Sequence, residues 1–342
     1  MTALHAALPA LSALASADDT TWISFHWQDL VDNFWNATFD GLTFGAIYAL
    51  VALGYTLVYG VLNLINFAHS EVFIAGAYAV VFTLSALGFG ASVPNLGWPA
   101  IIGNLLLALV VAMVVSALVA LLVERIAYKP LRMRNAPRLV FLITAIGMSF
   151  IIQYAFFWWR GAVAEPSVTM FKDEDIFVVF GSTISLSSLI IVGAAILMMV
   201  AADQLIRRTR VGRGIRAVAQ DPDTATLMGV NRERIIMITF VIGGALAGAA
   251  ALFYVMKVPA GVQYNGGFVL GIKAFTAAVL GGIGNIRGAL LGGLLLGVIG
   301  NYGAWLLGSA QWIDVVSFVI LILVLMVRPD GILGSNLGKV RA

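Results

Sequence analysis

The chain has 342 residues, of which 61% are hydrophobic and only 11% are charged. A water-soluble domain carries roughly 25% charged residues, whereas this chain has long charge-free runs, for example between Glu71 and Glu124. Such runs exclude a soluble globular fold and predict segments of about 20 apolar residues that cross a bilayer. The net charge is +3 and the sequence contains no cysteine, so disulfides, thiol nucleophiles and thiolate metal sites are excluded.

The first 40 residues precede the first long apolar segment and are predicted to form an extracytoplasmic N-terminal extension. Residues 15–17, Ala-Ser-Ala before Asp18, are similar to a signal-peptidase site. However, no Lys or Arg precedes them and Pro9 interrupts a short apolar stretch. A cleaved signal and a retained segment lying on the outer surface of the membrane therefore both stay open.

The rest of the chain predicts an all-α fold, a polytopic membrane helix bundle of about eight or nine transmembrane helices. The predicted spans are 41–62, 70–88, 99–123, 139–159, 184–202, 235–256, 268–286, 288–307 and 311–327. The span 268–286 contains Lys273 and many glycines, so we predict a crossing that is broken, with a re-entrant segment as the alternative. The transmembrane domain is assigned to residues 41–334 and includes a large cytoplasmic loop at 203–234.

Basic residues are concentrated in the segments that nine spans place on one side of the membrane. They are Arg125, Lys129, Arg132, Arg134, Arg138, Arg207, Arg208, Arg210, Arg213, Arg216, Arg232, Arg234, Arg287, Arg328, Lys339 and Arg341. Basic loops stay in the cytoplasm, so the N-terminus is predicted to be outside and the C-terminus cytoplasmic. Tryptophans at or beyond the outer span ends, and acidic residues 173–175 in the outer loop 160–183, agree with this orientation.

Patterns that would indicate catalysis or nucleotide binding are missing from this sequence. There is no GxxxxGK[ST], HExxH or GxSxG. Residues 212–217 formally match GxGxxA but lie in an arginine-rich loop with no strand before it. His5, His26 and His69 are too scattered for a metal site. We therefore expect no metal, no cofactor, no nucleic-acid binding and no enzymatic activity.

A polar break, Asn66-Phe67-Ala68-His69-Ser70-Glu71, separates the first two spans. The hydroxyl of Ser70 and the carboxylate of Glu71 suit the positive end of the next helix, which they are predicted to cap. A helix end at this depth favours binding of a zwitterionic substrate. The alternative is an ordinary short cytoplasmic turn with capping residues.

The cytoplasmic loop contains a predicted helix of about two turns, with Asp221 at the N-cap and Pro222 at the first position. Asp223 and Thr224 continue a favourable first turn, and Gly229 suits a left-handed stop. An isolated helix needs roughly 12–15 residues, so this one must pack on something. The apolar residues Leu227 and Met228 suit a partner protein, and packing on lipid or on the protein's own loops is the alternative.

Glycine patterns predict close helix packing and an unwound segment. GxxxG spacings occur at 41/45, 244/248, 284/288, 288/292 and 293/297. Residues 281–285, Gly-Gly-Ile-Gly-Asn, are predicted to unwind the backbone where it lines a cavity. For Lys273 we favour snorkelling to the outer interface over a role in a polar cavity. Segments 41–78 and 267–301 share a polar break with Asn, which suggests an internal repeat.

Residues 41–60, followed by Ile-Asn-Phe-Ala-His at 65–69, resemble the opening of LivH-like permeases. Lys-Ala-Phe at 273–275, residues 278–285, the ending at 328–334 and Met-Gly-Val-Asn at 228–231 resemble the same family in the same order. These permeases are membrane subunits of bacterial ATP-driven importers of branched-chain amino acids.

The resemblance implies a permease in the bacterial cell membrane with a second homologous permease, two cytoplasmic ATP-binding subunits and an extracytoplasmic substrate-binding protein. It places the substrate pathway at Asn66, His69, Ser70, Glu71, Gly282, Gly284 and Asn285. It makes 221–231 a coupling helix for the ATPases, with Asp221, Pro222, Asp223, Thr224, Leu227, Met228, Gly229 and Asn231. Ser70 stands where the family usually has Gly, so importers of urea or short amides stay as an alternative. An ion-coupled secondary transporter is a separate alternative, although such carriers usually keep carboxylates inside the spans and only Glu71 and Lys273 come close to this here.

Overall fold

A computed structural model describes residues 25–90, 92, 96–166, 168–179, 181–258, 261–328 and 331–334. The signal-like residues 15–17 and the tail residues Lys339 and Arg341 lie outside these ranges. The helices are α1 (Trp27–Asp32), α2 (Phe34–Leu62), α3 (His69–Ala86), α4 (Trp98–Val123), α5 (Lys129–Met133), α6 (Arg138–Arg160), α7 (Leu186–Arg208), α8 (Arg210–Gln220), α9 (Pro222–Leu227), α10 (Arg232–Lys257), α11 (Gly266–Gly281), α12 (Ile286–Leu306) and α13 (Trp312–Val327).

The predicted all-α membrane bundle is confirmed. Among the described residues, 7 helices are long and apolar enough to cross a membrane, and α11 and α13 are shorter apolar helices. Together these helices coincide with the predicted spans. A π-helical turn, Glu124–Tyr128, joins α4 to α5 without a break, so that the third span continues to Met133.

Two local differences from the prediction have clear physical causes. The predicted outer loop 160–183 contains an antiparallel hairpin, β1 (Asp175–Val179) and β2 (Ser182–Ser185). This hairpin was missed because the acidic residues beside it indicated a loop. The helix α2 begins at Phe34, inside the predicted extension, because its outer turn continues past the apolar segment.

The two helices α2 and α12 pack along a seam of glycines. A Cβ added at Gly297 would lie 2.3 Å from the carbonyl oxygen of Gly41 and 2.4 Å from the Cα of Gly45. A Cβ added at Gly293 would lie 2.5 Å from the Cα of Ala49. Helix backbones come this close only where side chains are absent, so the spacings at 41/45 and 293/297 form a real packing seam.

A second seam joins α10 to α4. A Cβ at Gly248 would lie 2.4 Å from the carbonyl oxygen of Ala112, and one at Gly244 would lie 2.8 Å from that of Ser116. The predicted spacing 244/248 therefore also brings two helices together. The helices α2 and α10 cross where a Cβ at Gly243 would lie 3.3 Å from the carbonyl oxygen of Gly54.

The packing pattern relates α2, α3 and α4 to α10, α11 and α12. Just as α2 packs along α12, α10 packs along α4, and α3 meets α4 as α11 meets α12. Contacts related in this way are those expected of an internal repeat, but they pair different segments from those that the sequence suggested. In the structure, the break before α3 corresponds to the segment before α11. The sequence comparison of segments 41–78 and 267–301 had instead matched this break with the one at Asn285.

Arg132 and Arg287, two basic residues at helix ends, form ion pairs with acidic residues of neighbouring helices, and the surface around them is called here the basic face. Arg132 Nη2 lies 2.6 Å from Glu124 Oε1 and 2.7 Å from Glu233 Oε2. Arg287 Nη2 lies 3.8 Å from Asp203 Oδ2. These ion pairs join the end of α5 to the start of α10 and the end of α7 to the start of α12, and the placement of all the basic segments on one side stays a prediction of the charge pattern.

Candidate functional site

The break between α2 and α3 is formed by residues 63–68. Asn63 ends α2 in the left-handed conformation with φ 52°. The helix α3 begins at His69, and its first turn has no side-chain cap among the described residues. The predicted Ser70 cap is therefore wrong, because Ser70 lies inside the helix and its hydroxyl donates to the carbonyl oxygen of Phe67 at 2.8 Å. Glu71 does lie in the first turn of α3, as predicted.

The polar residues of this break form a cluster in the core of the bundle, with Asn66, His69, Ser70 and Glu71 at most 2% exposed. The Tyr128 hydroxyl donates to Asn66 Oδ1 at 3.0 Å. The Ser149 hydroxyl, on α6, donates to Glu71 Oε1 at 3.2 Å. The His69 ring meets the Tyr55 ring edge-on, with 4.8 Å between centroids. The structure thus brings four helices together around the predicted residues Asn66 to Glu71, which we call the polar cluster.

Three polar atoms of the polar cluster are buried without a hydrogen-bond partner among the described residues. They are Asn66 Nδ2, His69 Nε2 and Glu71 Oε2. A buried unsatisfied polar group costs about 1–3 kcal/mol, and an ionisable residue inside a membrane protein commonly marks a substrate or ion path. The buried cluster therefore holds one amide donor, one imidazole nitrogen and one carboxylate oxygen that no described residue pairs.

Two glycines let α11 approach the polar cluster. A Cβ at Gly267 would lie 3.1 Å from Glu71 Oε2, and one at Gly271 would lie 2.4 Å from the Cβ of Ser70. The cavity beside the cluster, lined by Tyr55 and Phe275, has a volume of about 10 Å³. This volume is close to that of one water molecule, so the cluster is closed to an amino acid in this conformation.

The residues Gly282, Gly284 and Asn285 form the turn between α11 and α12. The two glycines have φ of 104° and 92°, which only glycine adopts readily. Asn285 Oδ1 accepts from the amides of Arg287 at 3.1 Å and Gly288 at 3.3 Å, and so caps α12. The predicted unwinding is therefore present as a sharp turn.

This turn also holds the C-terminal segment 331–334. Asn285 Nδ2 donates to the carbonyl oxygen of Leu333 at 2.9 Å, and the amide of Ile332 donates to that of Leu280 at 2.8 Å. The turn reaches the surroundings of the polar cluster through Ile283, which lines the small cavity with Ile65. The two predicted groups of pathway residues are therefore neighbours, although no hydrogen bond joins Asn285 to Asn66 within the described part of the chain.

The predicted short helix is present as α9. Asp221 Oδ1 accepts from the amides of Asp223 at 3.0 Å and Thr224 at 3.1 Å, and Pro222 occupies the first helical position. The helix stops at Gly229, whose φ is 84°. Asn231 then caps α10 by accepting from the Arg234 amide at 3.0 Å.

The tip of α9 is apolar and uncovered. Leu227 is 87% exposed and Met228 is 80% exposed, whereas Ala225 on the other side is buried. Large apolar side chains that are exposed at the end of a short helix are typical of a site where another protein docks. The residues predicted for coupling therefore form one continuous feature on the basic face.

Removing the cap of α9 should loosen this helix without affecting the bundle. Hydrogen bonds from the Thr224 side chain and amide lower the pKa of the Asp221 carboxyl below its ordinary value. A lowered pKa stabilises the folded state above the unfolded pKa, and this contribution is lost as pH falls through the folded value. We expect Asp221→Ala to speed amide hydrogen exchange in 222–230 severalfold at pH 7, and Asp221→Asn to speed it much less.

The matched asparagine variant also tests the electrostatic part. Asn caps helices but does not titrate, so acidification should loosen α9 in the wild type and not in Asp221→Asn. Equal exchange rates in the wild type and Asp221→Ala, measured by mass spectrometry, would mean that Asp221 does not hold this helix.

The preference for snorkelling of Lys273 stays a prediction, and the structure adds a partner for this residue. Its ammonium group is paired with the Asp314 carboxylate in the first turn of α13, and its side chain is only 15% exposed. Sequence reasoning missed Asp314 and also Tyr128 and Ser149 in the polar cluster. Asp314 could have been found as the acidic residue within a predicted span, whereas the two hydroxyls have no distinctive spacing.

A bundle of apolar helices around a buried polar break, with a capped apolar helix among its basic loops, defines a polytopic membrane permease. Residues 37–325 match the family described as the permease component of the branched-chain amino acid transport system. The chain belongs to this family and is a transport subunit of the membrane, not an enzyme.

Curated relatives cover most of the chain. It is 44% identical over 301 residues to the high-affinity branched-chain amino acid transport system permease protein BraD of Pseudomonas aeruginosa, covering 86% of this chain and 94% of the relative. It is 41% identical over 312 residues to the LivH permease protein of Escherichia coli K12, covering 88% and 96%. The solved structure of PsaBC from Streptococcus pneumoniae has a similar fold, with a TM-score of 0.50, 10% identity and coverage of 89% and 96%.

Proposed function

We propose that this chain is the permease subunit of an ATP-driven importer of branched-chain and other hydrophobic amino acids. The names of the relatives support the substrate class. The observation that carries the ATP-driven mechanism is α9, a capped helix whose Leu227 and Met228 lack cover. The sequence itself contains no P-loop, so ATP is hydrolysed by other subunits.

The substrate pathway in this proposal runs past the polar cluster. Residues assigned to it are Asn66, His69, Ser70, Glu71, Gly282, Gly284 and Asn285. Separation of α11 from α3 would expose the unpaired Oε2 of Glu71, which lies beside Gly267 of α11, to a substrate. At Gly267 and Gly271 the backbone of α11 lies directly against Ser70, Glu71 and Ile74 of α3.

Coupling to ATP hydrolysis is assigned to Asp221, Pro222, Asp223, Thr224, Leu227, Met228, Gly229 and Asn231. The first residues build the helix, and Leu227 and Met228 present its apolar tip to a groove on a cytoplasmic ATP-binding subunit. The importer contains two homologous permeases and two ATP-binding subunits, and each permease binds one ATP-binding subunit. The contacts of α9 are on the basic face, which the positive-inside rule places in the cytoplasm.

The opposite face is assigned to the outside, where an extracytoplasmic binding protein delivers the amino acid. This face carries the hairpin and the pair formed by Lys257 Nζ and Asp40 Oδ1 at 2.8 Å. The N-terminus is then outside and the C-terminus cytoplasmic. The localisation that follows is the bacterial inner membrane, with the lipid bilayer around the apolar helices.

Co-purification tests this function directly. The tagged protein is expressed with its neighbouring genes, extracted in mild detergent and analysed by mass spectrometry. We expect a second permease and two ATP-binding subunits, and a reduced recovery of the ATP-binding subunits when 221–231 is scrambled in this chain. Reconstituted vesicles should accumulate leucine only with ATP and a binding protein. Recovery of the chain alone, moving substrate without ATP, would instead identify a secondary transporter, and ATP-driven uptake of urea or amides but not leucine would correct the substrate.

A further inference from the structure

A second cleft, of about 360 Å³, lies between α2, α10, α11 and α13, towards the face opposite the basic face. Sites for small molecules have volumes of roughly 300–1,000 Å³ and are mostly apolar, with few polar groups. This cleft has a suitable volume and a mostly apolar lining, and Lys273 and Asp314 are the charged residues among those that line it. The aromatic and apolar side chains that line it include Phe44, Tyr48, Tyr254, Val269, Leu270 and Ile313.

The two charged groups of this cleft are paired but reachable. The Lys273 ammonium contacts the Asp314 carboxylate and lies 5.7 Å from the centre of the Tyr48 ring. The Asp314 side chain is 43% exposed and Lys273 15% exposed. A charged pair between membrane helices is costly and commonly belongs to a substrate path. Nothing in the polar cluster uses this pair.

We propose that this cleft binds the zwitterionic head group of an amino acid, with Lys273 holding the carboxylate and Asp314 the ammonium. The apolar wall then takes the hydrocarbon side chain. This inference rests on the proposed function and adds a contact for the same substrate at a place separate from the polar cluster.

Charge balance makes a zwitterion the suitable ligand. A zwitterion entering between Lys273 and Asp314 replaces one ion pair with two, so no buried charge loses its partner. An amine or an acid alone would form one ion pair where the zwitterion forms two, and an amine would leave Lys273, which is only 15% exposed, without a partner, which is unfavourable. The cleft therefore discriminates against molecules with only one of the two charges.

The position of the cleft fits a step before the polar cluster. Residues 266, 269, 270 and 273 share one face of α11 because helical neighbours recur every three or four residues. Gly267 and Gly271 lie on a different face, against Ser70. A single short helix thus separates the cleft from the polar cluster, and a movement of α11 would connect the two.

Equilibrium binding of radiolabelled leucine to the purified permease in lipid nanodiscs tests this site without ATPases. We expect saturable binding that Lys273→Met and Asp314→Asn each weaken by at least about tenfold. Two leucine analogues with a single charge, 4-methylpentanoate and 3-methylbutylamine, should compete at least about tenfold less well than leucine. Lys257→Met breaks a matched pair outside the cleft and should leave binding unchanged.

A charge swap, Lys273→Asp with Asp314→Lys, keeps the pair and so controls for folding. The swapped variant should unfold at the same temperature as the wild type. Its affinity for leucine should nevertheless be at least about tenfold lower, because a reversed head group turns the side chain of leucine away from the apolar wall. Wild-type affinity in the swap, or no saturable binding by the wild type, would overturn the site. If the wild type bound leucine as described but its reconstituted vesicles showed no ATP-driven uptake, only the proposed function would be overturned.

Discussion

Replacing Leu227 and Met228 together by aspartate is expected to reduce ATP-driven leucine uptake by at least about a hundredfold. Each side chain is more than three-quarters exposed, at 87% and 80%. Truncating an apolar anchor in a protein interface typically costs more than about 1 kcal/mol, and introducing a charge there costs more. Two such losses, of roughly 3 kcal/mol together, correspond to about a hundredfold in affinity for the ATP-binding subunit.

The measurement is uptake in reconstituted vesicles, with recovery of ATPases on the tagged permease as a second readout. Both should fall, while the thermal transition of the permease alone stays unchanged because neither side chain is packed in the bundle. Val163→Asp is the matched control, since Val163 is 80% exposed in the loop after α6. Wild-type uptake by the double variant would refute the assignment of α9 to coupling.

The second large effect is expected at the glycine seam between α2 and α12. Gly297→Leu should leave little folded protein, because its Cβ alone would lie 2.3 Å from the Gly41 carbonyl oxygen and 2.4 Å from the Gly45 Cα. These are backbone atoms of a long helix and cannot move aside separately. Overpacking usually costs about 1–3 kcal/mol and more where backbones clash, so we expect the free energy of unfolding to fall by about 3 kcal/mol or more.

Size-exclusion chromatography of a fluorescent fusion and a thermal melt report this loss. Gly147→Leu and Gly103→Leu provide matched controls on α6 and α4, where an added Cβ meets nothing within 4 Å. Both should elute and melt close to the wild type. If Gly297→Leu behaved like these controls, the two helices would not approach as closely as described.

Sequence reasoning predicted the features that depend on local order along the chain. Apolar runs located the helices, and α9 followed from Asp221, Pro222 and Gly229, because caps and stops are read from neighbouring residues. The grouping of the basic loops on one side, which comes from counting charges between spans, stays a prediction. Helix ends were less well predicted, as at Phe34, because a helix continues beyond the apolar part that marks a span.

The features that were missed depend on which helices meet. The partners of Asn66 and Glu71 are Tyr128 and Ser149, which lie on other helices and follow no pattern shared with the break. The pairing of Lys273 with Asp314 depends on the contact between α11 and α13. Ser70 was misread as a cap because the sequence left open whether α3 begins before or after it.

The shortness of α13 has a consequence for the lipid around it. Its 16 residues rise about 24 Å, which is less than the roughly 30 Å of a bilayer hydrocarbon core. Its side chains at 319, 322, 323 and 326 are exposed and apolar, as expected of a helix face that contacts acyl chains. Because a short exposed helix is accommodated by local thinning of the bilayer, this edge of the protein favours membranes of shorter or more flexible acyl chains.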